Sequence, residues 1–540
     1  MVLELRFRIR PWSQALSALS VTARTLVFLA VVGVAVPARA HADASVSSQR
    51  LSEAETLYNS GQYFKSARYA FAAAEEDDSL QAEAYSWVTI SLIRANLNQT
   101  AAYFFIKTLM SGHKSAIHRV LTLTQDLMTS VGADLLRKYM IRHTTYEDYD
   151  SLNRSAYLYA LGRDTLLGGD EGRSIGYLNG IDYRSPLWPY ALQLRGTARA
   201  IRGENDAAIS DFQECESQAK RAASNVGSGS VYAVHRDREF QDLQSRCMAS
   251  QARVLYQMDR FEDADRSYDR IPKKSIVWPD ILFEQAWNSF GRREYNRTLG
   301  KLVSYKSPAL NFMFNTEVDV LRAQSYLALC LYSDANDVIN EFNQHYTGLG
   351  EQVKRFVEQN SSSMNAFYEI GKEASHAHLY TGNPMYKFMN RFIRGPYFQN
   401  LMEAETATYS EEQLIRQFDS GQPGVAHGQE TGFPGFLDLV LKWRRKTLRH
   451  LGGVFVKNSL LDYHSALIAD YEKMAFIKLE MLSRAKEKLV YKHTPLAERV
   501  RGSVEPSRRD DQYYWSFNGE FWTDELGDYV FGLESECNKS

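Results

Sequence analysis

Cysteine is scarce in this 540-residue sequence, and the few cysteines are widely spaced. Cys215, Cys247, Cys330 and Cys537 form no CxxC pair, which excludes the usual spacings of zinc sites and thioredoxin-like redox sites. In an oxidising compartment they could pair, and the sequence leaves the pairing open. HExxH, GxSxG and P-loop motifs are also absent. We therefore expect no catalytic residue, no metal site and no cofactor.

A surplus of one charge sign is also missing. The chain has 63 Lys and Arg against 65 Asp and Glu, which gives a formal net charge of −2. A nearly neutral protein lacks the strongly basic surface that attracts nucleic acid, so a nucleic-acid partner is not expected. The hydrophobic content of 44% and the length are ordinary for a folded protein of two or three domains.

A hydrophobic run of transmembrane length is missing from the N-terminus. The apolar run Leu26–Val36 follows several arginines and is about half of the ~20 residues that span a bilayer. Pro37 and an Ala-Arg-Ala tripeptide come next, which is the pattern of a signal-peptide cleavage site. Residues 1–40 are thus predicted to be a signal peptide, with cleavage after Ala44 as a second choice and an uncleaved anchor as the alternative. The mature chain is expected in the periplasm, and association with the outer membrane is compatible with this prediction.

The sequence repeats with a period of 34 residues. Three pairs of segments align at this distance, with Gly61 against Ala95, Gly169 against Gly203 and Phe261 against Tyr295. Apolar residues recur at three- and four-residue steps on both sides of each short turn, which indicates antiparallel helix pairs. Two prolines, each 14 residues before a turn, suit the first turn of a helix, at Pro189 and Pro279.

These repeats resemble the tetratricopeptide repeat (TPR) family, in which a Gly or polar turn is followed by an aromatic residue and then by Ala. The segments "GQYFKSA", "DRFEDAD" and "REYNRTL" fit this pattern, whereas "GDEGRSI" and "GENDAAI" lack the aromatic residue. The resemblance implies an all-α fold, with a TPR-like helical solenoid over residues 41–345. Residues 217–240 exceed the period and are predicted to be a loop insertion between two sub-arrays.

Three further segments follow the repeats. Residues 346–418 are expected to form irregular helices. Residues 436–492 are predicted to form a long helical hairpin or coiled coil, either as two helices or as one interrupted at Gly452-Gly453. Membrane-surface binding by "KWRRKTLRH" is the alternative for this segment. Residues 512–540 are rich in aromatic side chains and are predicted to cap the apolar surface of the helices, with a ligand platform as the alternative.

A second resemblance concerns the segments "SIVWPDILFEQAWNSF" and "WSFNGEFWTDELGDY". They look like uncharacterised periplasmic repeat proteins of gliding and predatory deltaproteobacteria, some of which belong to motility machinery. Together the two resemblances imply an exported, non-catalytic scaffold or adaptor that binds a protein or peptide partner in an envelope or motility complex. Peripheral membrane association is compatible with this role. A periplasmic protein that binds or processes peptidoglycan is the alternative function.

Analogy with the TPR family places the partner-binding groove on the first helix of each repeat. The corresponding positions of this chain are Tyr159, Arg163, Tyr190, Gln193, Arg253, Tyr256, Phe283 and Trp287. Aromatic residues and Arg are the types that most often anchor interfaces. For Phe283 and Trp287, packing between helices is the alternative.

Overall fold

A computed structural model describes most of the chain after the predicted signal peptide, which lies outside it. The described residues are 44–224, 231–376, 384–420, 432–485, 506 and 508–537. The chain divides into two compact units. Unit 1 comprises the chain up to Glu204 together with Asn400–Leu451, and unit 2 comprises Asn205–Gln399 together with the chain from Gly452 onward.

The described residues are almost entirely helical. Unit 1 contains α1 (Ala44–Asn59), α2 (Tyr63–Glu76), α3 (Gln81–Arg94), α4 (Asn98–Ser111), α5 (Lys114–Leu121), α6 (Thr124–Val131), α7 (Ala133–His143), α8 (Arg154–Leu167), α9 (Glu171–Asn179) and α10 (Trp188–Ile201). Unit 2 contains α11 (Asn205–Ser224), α12 (Val231–Gln257), α13 (Phe261–Asp269), α14 (Trp278–Gly291), α15 (Tyr295–Val303), α16 (Glu317–Ala328), α17 (Tyr332–Gln359), α18 (Met364–His376) and α19 (Pro384–Ile393). Residues of both units belong to α20 (Pro396–Ser420) and α21 (Gly432–Ala485), and two short strands, β1 (Trp515–Ser516) and β2 (Tyr529–Val530), pair in parallel.

A residue with left-handed backbone conformation closes the turn of each regular helix pair. These residues have φ between 58° and 80° and lie two positions before the second helix: Gly61, Asn96, Gly169, Gly203, Asp259, Arg293 and Cys330. The next backbone N–H donates to the carbonyl oxygen five residues earlier, as from Gln62 to Leu57 at 2.9 Å. This is the Schellman termination of an α-helix. Its recurrence confirms the all-α prediction of a helical solenoid.

The stretch between the second and third pairs does not follow the period. Three short helices, α5 to α7, lie there in place of a regular helix pair. They pack against their neighbours in unit 1, with α7 in contact with both α4 and α8. The packing of helix on helix therefore continues through this stretch, although the 34-residue repeat is interrupted there.

The predicted loop insertion at 217–240 is wrong wherever the structure describes it. Residues 217–224 complete α11, and residues 231–240 begin α12. Residues 225–230 lie outside the described chain. Both helices extend beyond the repeat pattern, and the disulfide between Cys215 and Cys247 joins them.

The predicted hairpin is also wrong, because α21 runs through Gly452 and Gly453 without a break. A Cβ atom at Gly453 would overlap the carbonyl group of Met364, and one at Gly452 would lie 2.5 Å from the Tyr368 ring. The two glycines therefore allow α18 to pack closely on α21 and do not end the helix. Residues 486–492 of the predicted hairpin lie outside the described residues.

The unit 1 parts of α20 and α21 cover the second helices of the first two repeats. The rings of Phe433 and Phe436 lie 5.0 Å and 4.9 Å from the ring of Phe71 on α2. Phe436 also lies 5.8 Å from Phe104 on α4. These aromatic contacts bury apolar surface that the second helices would otherwise expose.

Residues 508–537, here called the tail, cover second helices in unit 2. Their side chains Leu526, Tyr529, Phe531 and Leu533 belong to the main hydrophobic core of this unit. The side chain of Asn296, on α15, exchanges two hydrogen bonds with the backbone of Leu533, at 2.9 Å and 3.0 Å. The disulfide between Cys330 and Cys537 ties the end of the tail to the turn between α16 and α17.

Candidate functional site

The eight predicted groove residues are divided evenly between the two units. In unit 1, Tyr159 is only 8% exposed and so cannot be the surface residue that was predicted. Arg163 donates to both carboxylate oxygens of Asp134, at 2.7 Å and 2.8 Å, and is occupied by this internal ion pair. Tyr190 and Gln193 are half-buried. The first-helix face of unit 1 therefore contains few freely exposed anchor residues.

In unit 2, Arg253 on α12 is joined to Glu284 on α14. The guanidinium Nε lies 2.9 Å from Oε2 of Glu284, and one Nη lies 2.7 Å from Oε1. The hydroxyl of the buried Tyr268 also donates to Glu284, at 2.9 Å. A bidentate Arg–carboxylate pair is strong and fixes orientation. Arg253 therefore shapes the first-helix face and does not offer a free guanidinium.

A row of half-buried aromatic rings continues this face along α14. The ring centroids of Phe283 and Trp287 are 6.4 Å apart, and those of Trp287 and Phe290 are 5.6 Å apart, both edge-to-face. The three rings pack against a small core that includes Leu302 and Leu321. Part of each ring still reaches solvent. The side chains of Phe283 and Trp287 therefore each pack against the core and also remain partly exposed to solvent. Tyr256 is likewise half-buried, with its ring 5.5 Å from Phe261.

Asp280 lies one turn before Glu284 on α14 and was not predicted as a site residue. Its side chain is exposed and forms no hydrogen bond or ion pair with another described residue. Desolvation nevertheless raises the pKa of its carboxyl group, against the opposing attraction of Arg391 and Arg394. These two arginines lie at the end of α19, so the charge of that helix end acts on Asp280 of α14.

A signal in the sequence could have identified Asp280 and Glu284. With Phe283 and Trp287 they occupy positions i, i+3, i+4 and i+7, the spacing of a single helix face. The prediction considered only aromatic, Arg and Gln side chains, so the two carboxylates were missed. The candidate site is therefore the α14 face of unit 2, which combines aromatic rings with acidic groups.

A buried polar network lies on the other side of these helices, beneath the tail. Asp265 on α13 is fully buried and accepts hydrogen bonds from Asn288 at 3.1 Å, while Arg297 lies 2.8 Å away in an ion pair. Arg509 of the tail pairs with Asp269 at 2.6 Å. Asp265 and Arg297 are buried, whereas the Arg509–Asp269 pair is partly exposed, and together these groups fix the tail to α13, α14 and α15.

Metal binding and membrane insertion find no support in the part of the chain that the structure describes. Across the described ranges, no cluster of three or more His, Cys, Asp or Glu side chains is arranged to hold a metal ion. Among the helices of the same ranges, none has the length and apolar content needed to cross a membrane.

Comparisons with known proteins add little to this geometry. No family model matches the chain, and no curated protein matches it. One of the similar solved structures is the crystal structure of the P58(IPK) TPR domain, which is 13% identical, covers 74% of this chain and 99% of its own, and has a TM-score of 0.19. The helical-repeat assignment therefore stands on the turns of this chain itself. The resemblance to deltaproteobacterial repeat proteins finds no support in these comparisons.

Proposed function

We propose that this protein is an exported, non-catalytic scaffold that binds a protein or peptide partner through the first-helix face of unit 2. The observation that carries the proposal is the composition of the α14 face. There the exposed Asp280 stands beside the Arg253–Glu284 pair and half-buried aromatic rings. Rigid aromatic groups next to oriented charges are typical anchors of protein interfaces.

The non-repeat segments favour the first helices over the second as the binding face. In unit 1 the second helices are covered by α20 and α21, and in unit 2 they are covered by the tail. Repeat arrays commonly bind partners along one extended face. In this protein, the first-helix side of unit 2 carries the exposed carboxylate of Asp280 beside the aromatic rings of α14.

Export is supported by the cysteines. All four are paired, Cys215 with Cys247 and Cys330 with Cys537. Structural disulfides persist in oxidising compartments and are rare in the cytosol. Together with the N-terminal leader, they favour a periplasmic protein whose partner belongs to the cell envelope.

Affinity capture from envelope extracts, read by mass spectrometry, tests this proposal. Asp280→Arg should abolish capture of the partner, because it reverses the exposed charge beside the aromatic rings of α14. Asp337→Arg is the matched control, since Asp337 is an exposed carboxylate on the second helix α17. Equal capture by both variants, or no enrichment by the wild type, would show that the first-helix face is not the binding site.

A further inference from the structure

The aromatic side chains of the tail fall into two sets. Phe517, Tyr529 and Phe531 are buried in the core of unit 2, whereas Tyr513 is 74% exposed, Trp515 is 46% exposed and Trp522 is 58% exposed. Tryptophan is highly buried on average and carries a large apolar surface. The prediction that the tail is a packing element therefore fits the first set only, and the two tryptophans require another explanation.

Both tryptophans are held through the same buried tyrosine. Trp515 is the strand partner of Tyr529, and its backbone N–H donates to the carbonyl oxygen of Asp528 at 3.0 Å. The backbone N–H of Trp522 donates to the Tyr529 hydroxyl at 2.8 Å. The backbone of Tyr529 lies directly on Gly300, where a Cβ atom would overlap it. The backbones of Trp515 and Trp522 are thus both anchored to Tyr529, which is itself fixed on α15.

The tail from Trp515 to Asp524 exposes mostly hydrogen-bonding groups. Its exposed side chains other than the two indoles are Ser516, Asn518, Glu520, Thr523 and Asp524. The sequence from 512 to 531 contains no Lys or Arg, and the nearby Lys273 is paired with Asp528 at 3.1 Å. The exposed hydroxyl, amide and carboxylate groups suit a ligand that forms many hydrogen bonds.

We propose that Trp515 and Trp522, with the flanking carboxylates of Glu520 and Asp524, form a binding site for a neutral saccharide. The C–H groups on one face of a pyranose ring carry partial positive charge and match the negative face of an indole. Sugar hydroxyl groups donate strong hydrogen bonds to carboxylates. The same carboxylates repel an anionic polymer. This site is separate from the first-helix face of unit 2, and the proposal does not depend on the scaffold role.

Calorimetry with the mature chain under non-reducing conditions tests the proposal. The probes are the tetramer of N-acetylglucosamine and cellotetraose, with an alginate oligomer as the anionic control. At least one neutral tetramer should bind, with Kd of about 0.01–1 mM, as expected for a small contact surface. Trp515→Ala and Trp522→Ala should each weaken binding by about five- to thirtyfold, which is typical of truncating an aromatic anchor.

Phe476→Ala is the matched control, because this side chain is 71% exposed on α21 of the same unit. It should leave saccharide binding unchanged. All three variants should melt like the wild type, so a loss of binding cannot be attributed to unfolding. Absence of binding to both neutral tetramers, unchanged binding by the double tryptophan variant, or a preference for alginate would each overturn the proposal.

Discussion

Glu411, in the unit 1 part of α20, caps the N-terminus of α4 from a different helix. Its carboxyl oxygens accept hydrogen bonds from the backbone N–H of Gln99 at 2.6 Å and of Thr100 at 3.0 Å. Arg444 donates to the Gln99 side chain at 3.0 Å and attracts the carboxylate. Burial outweighs these contacts and raises the pKa of Glu411 to about 7.

This raised pKa predicts that stability falls as the pH rises through neutrality. Because the pKa of Glu411 in the folded state lies above 4.5, folding takes up a proton. The stabilising contribution is complete below about pH 4.5 and is lost as the pH rises through about 7. Between pH 5 and pH 8 the wild type should lose about 1–3 kcal/mol of unfolding free energy relative to Glu411→Gln. Denaturant titrations at both pH values measure this difference, and parallel pH dependence of the two proteins would contradict it.

A second prediction at the residue scale concerns Arg253. Arg253→Ala leaves the half-buried Glu284 without its cation, so it should destabilise the fold by about 1–2 kcal/mol. Asp280→Ala, which removes no ion pair, should change stability by less than about 0.5 kcal/mol. Thermal melts of the two variants check the contrast. Equal melting temperatures would mean that the Arg253–Glu284 pair contributes nothing to stability.

The sequence could place Arg253 on the first-helix face but could not reveal its partner. Glu284 lies on the neighbouring first helix, and the pairing depends on how two successive first helices align in space. Arg163 and Asp134 show the same limit in unit 1. A repeat period assigns a face to each position, and only packing decides whether a charge on that face is free or paired.

At the scale of elements, each regular helix pair has a left-handed residue at the same place in its turn. This recurrence explains why the 34-residue period can be seen in the sequence. Glycine adopts this conformation without strain, whereas Arg293 at φ 63° does not. Arg293→Gly should therefore stabilise the protein by about 0.5 kcal/mol, after the greater freedom of unfolded glycine is subtracted.

Gly61→Ala should destabilise the protein by about 1 kcal/mol, because a Cβ is introduced at φ 80°. Urea midpoints at constant slope measure both changes, and opposite signs would contradict the turn assignment.

The misassigned elements share one physical cause. The excess length at 217–240 was interpreted as a loop, although its described residues lengthen α11 and α12. Gly452-Gly453 was interpreted as a break because glycine lowers helix propensity. In both places tertiary contacts outweigh local preference, through the Cys215–Cys247 disulfide and through the close approach of α18. Such contacts join residues far apart in sequence, so composition and periodicity could not anticipate them.

On the scale of each whole unit, non-repeat segments cover the second helices. The helical character of 346–418 and the aromatic tail could be predicted from periodicity and composition. The helices on which these segments pack could not be predicted, since any apolar helix face could accept them. The structure assigns α20 and α21 to α2 and α4 in unit 1, and the tail to α13 and α15 in unit 2.

The last prediction tests whether the tail completes the core of unit 2. Deleting residues 508–540 removes the buried side chains Leu526, Tyr529, Phe531 and Leu533 and exposes the helices beneath them. Each of these side chains contributes roughly 1.5–3 kcal/mol through burial. The truncated protein should therefore melt earlier and bind a hydrophobic dye.

Two matched variants separate packing from the covalent tie. Cys537→Ser keeps the buried side chains but opens a long loop, whose closure contributes about 5 kcal/mol in the chain-entropy model. It should melt between the wild type and the truncation without binding dye, because the hydrogen bonds between Asn296 and Leu533 still hold the tail. Trp515→Ala, by contrast, should melt like the wild type, since its indole lies outside the core. A truncation that melts like the wild type, or a tryptophan variant that melts like the truncation, would show that the tail stabilises unit 2 in a different way.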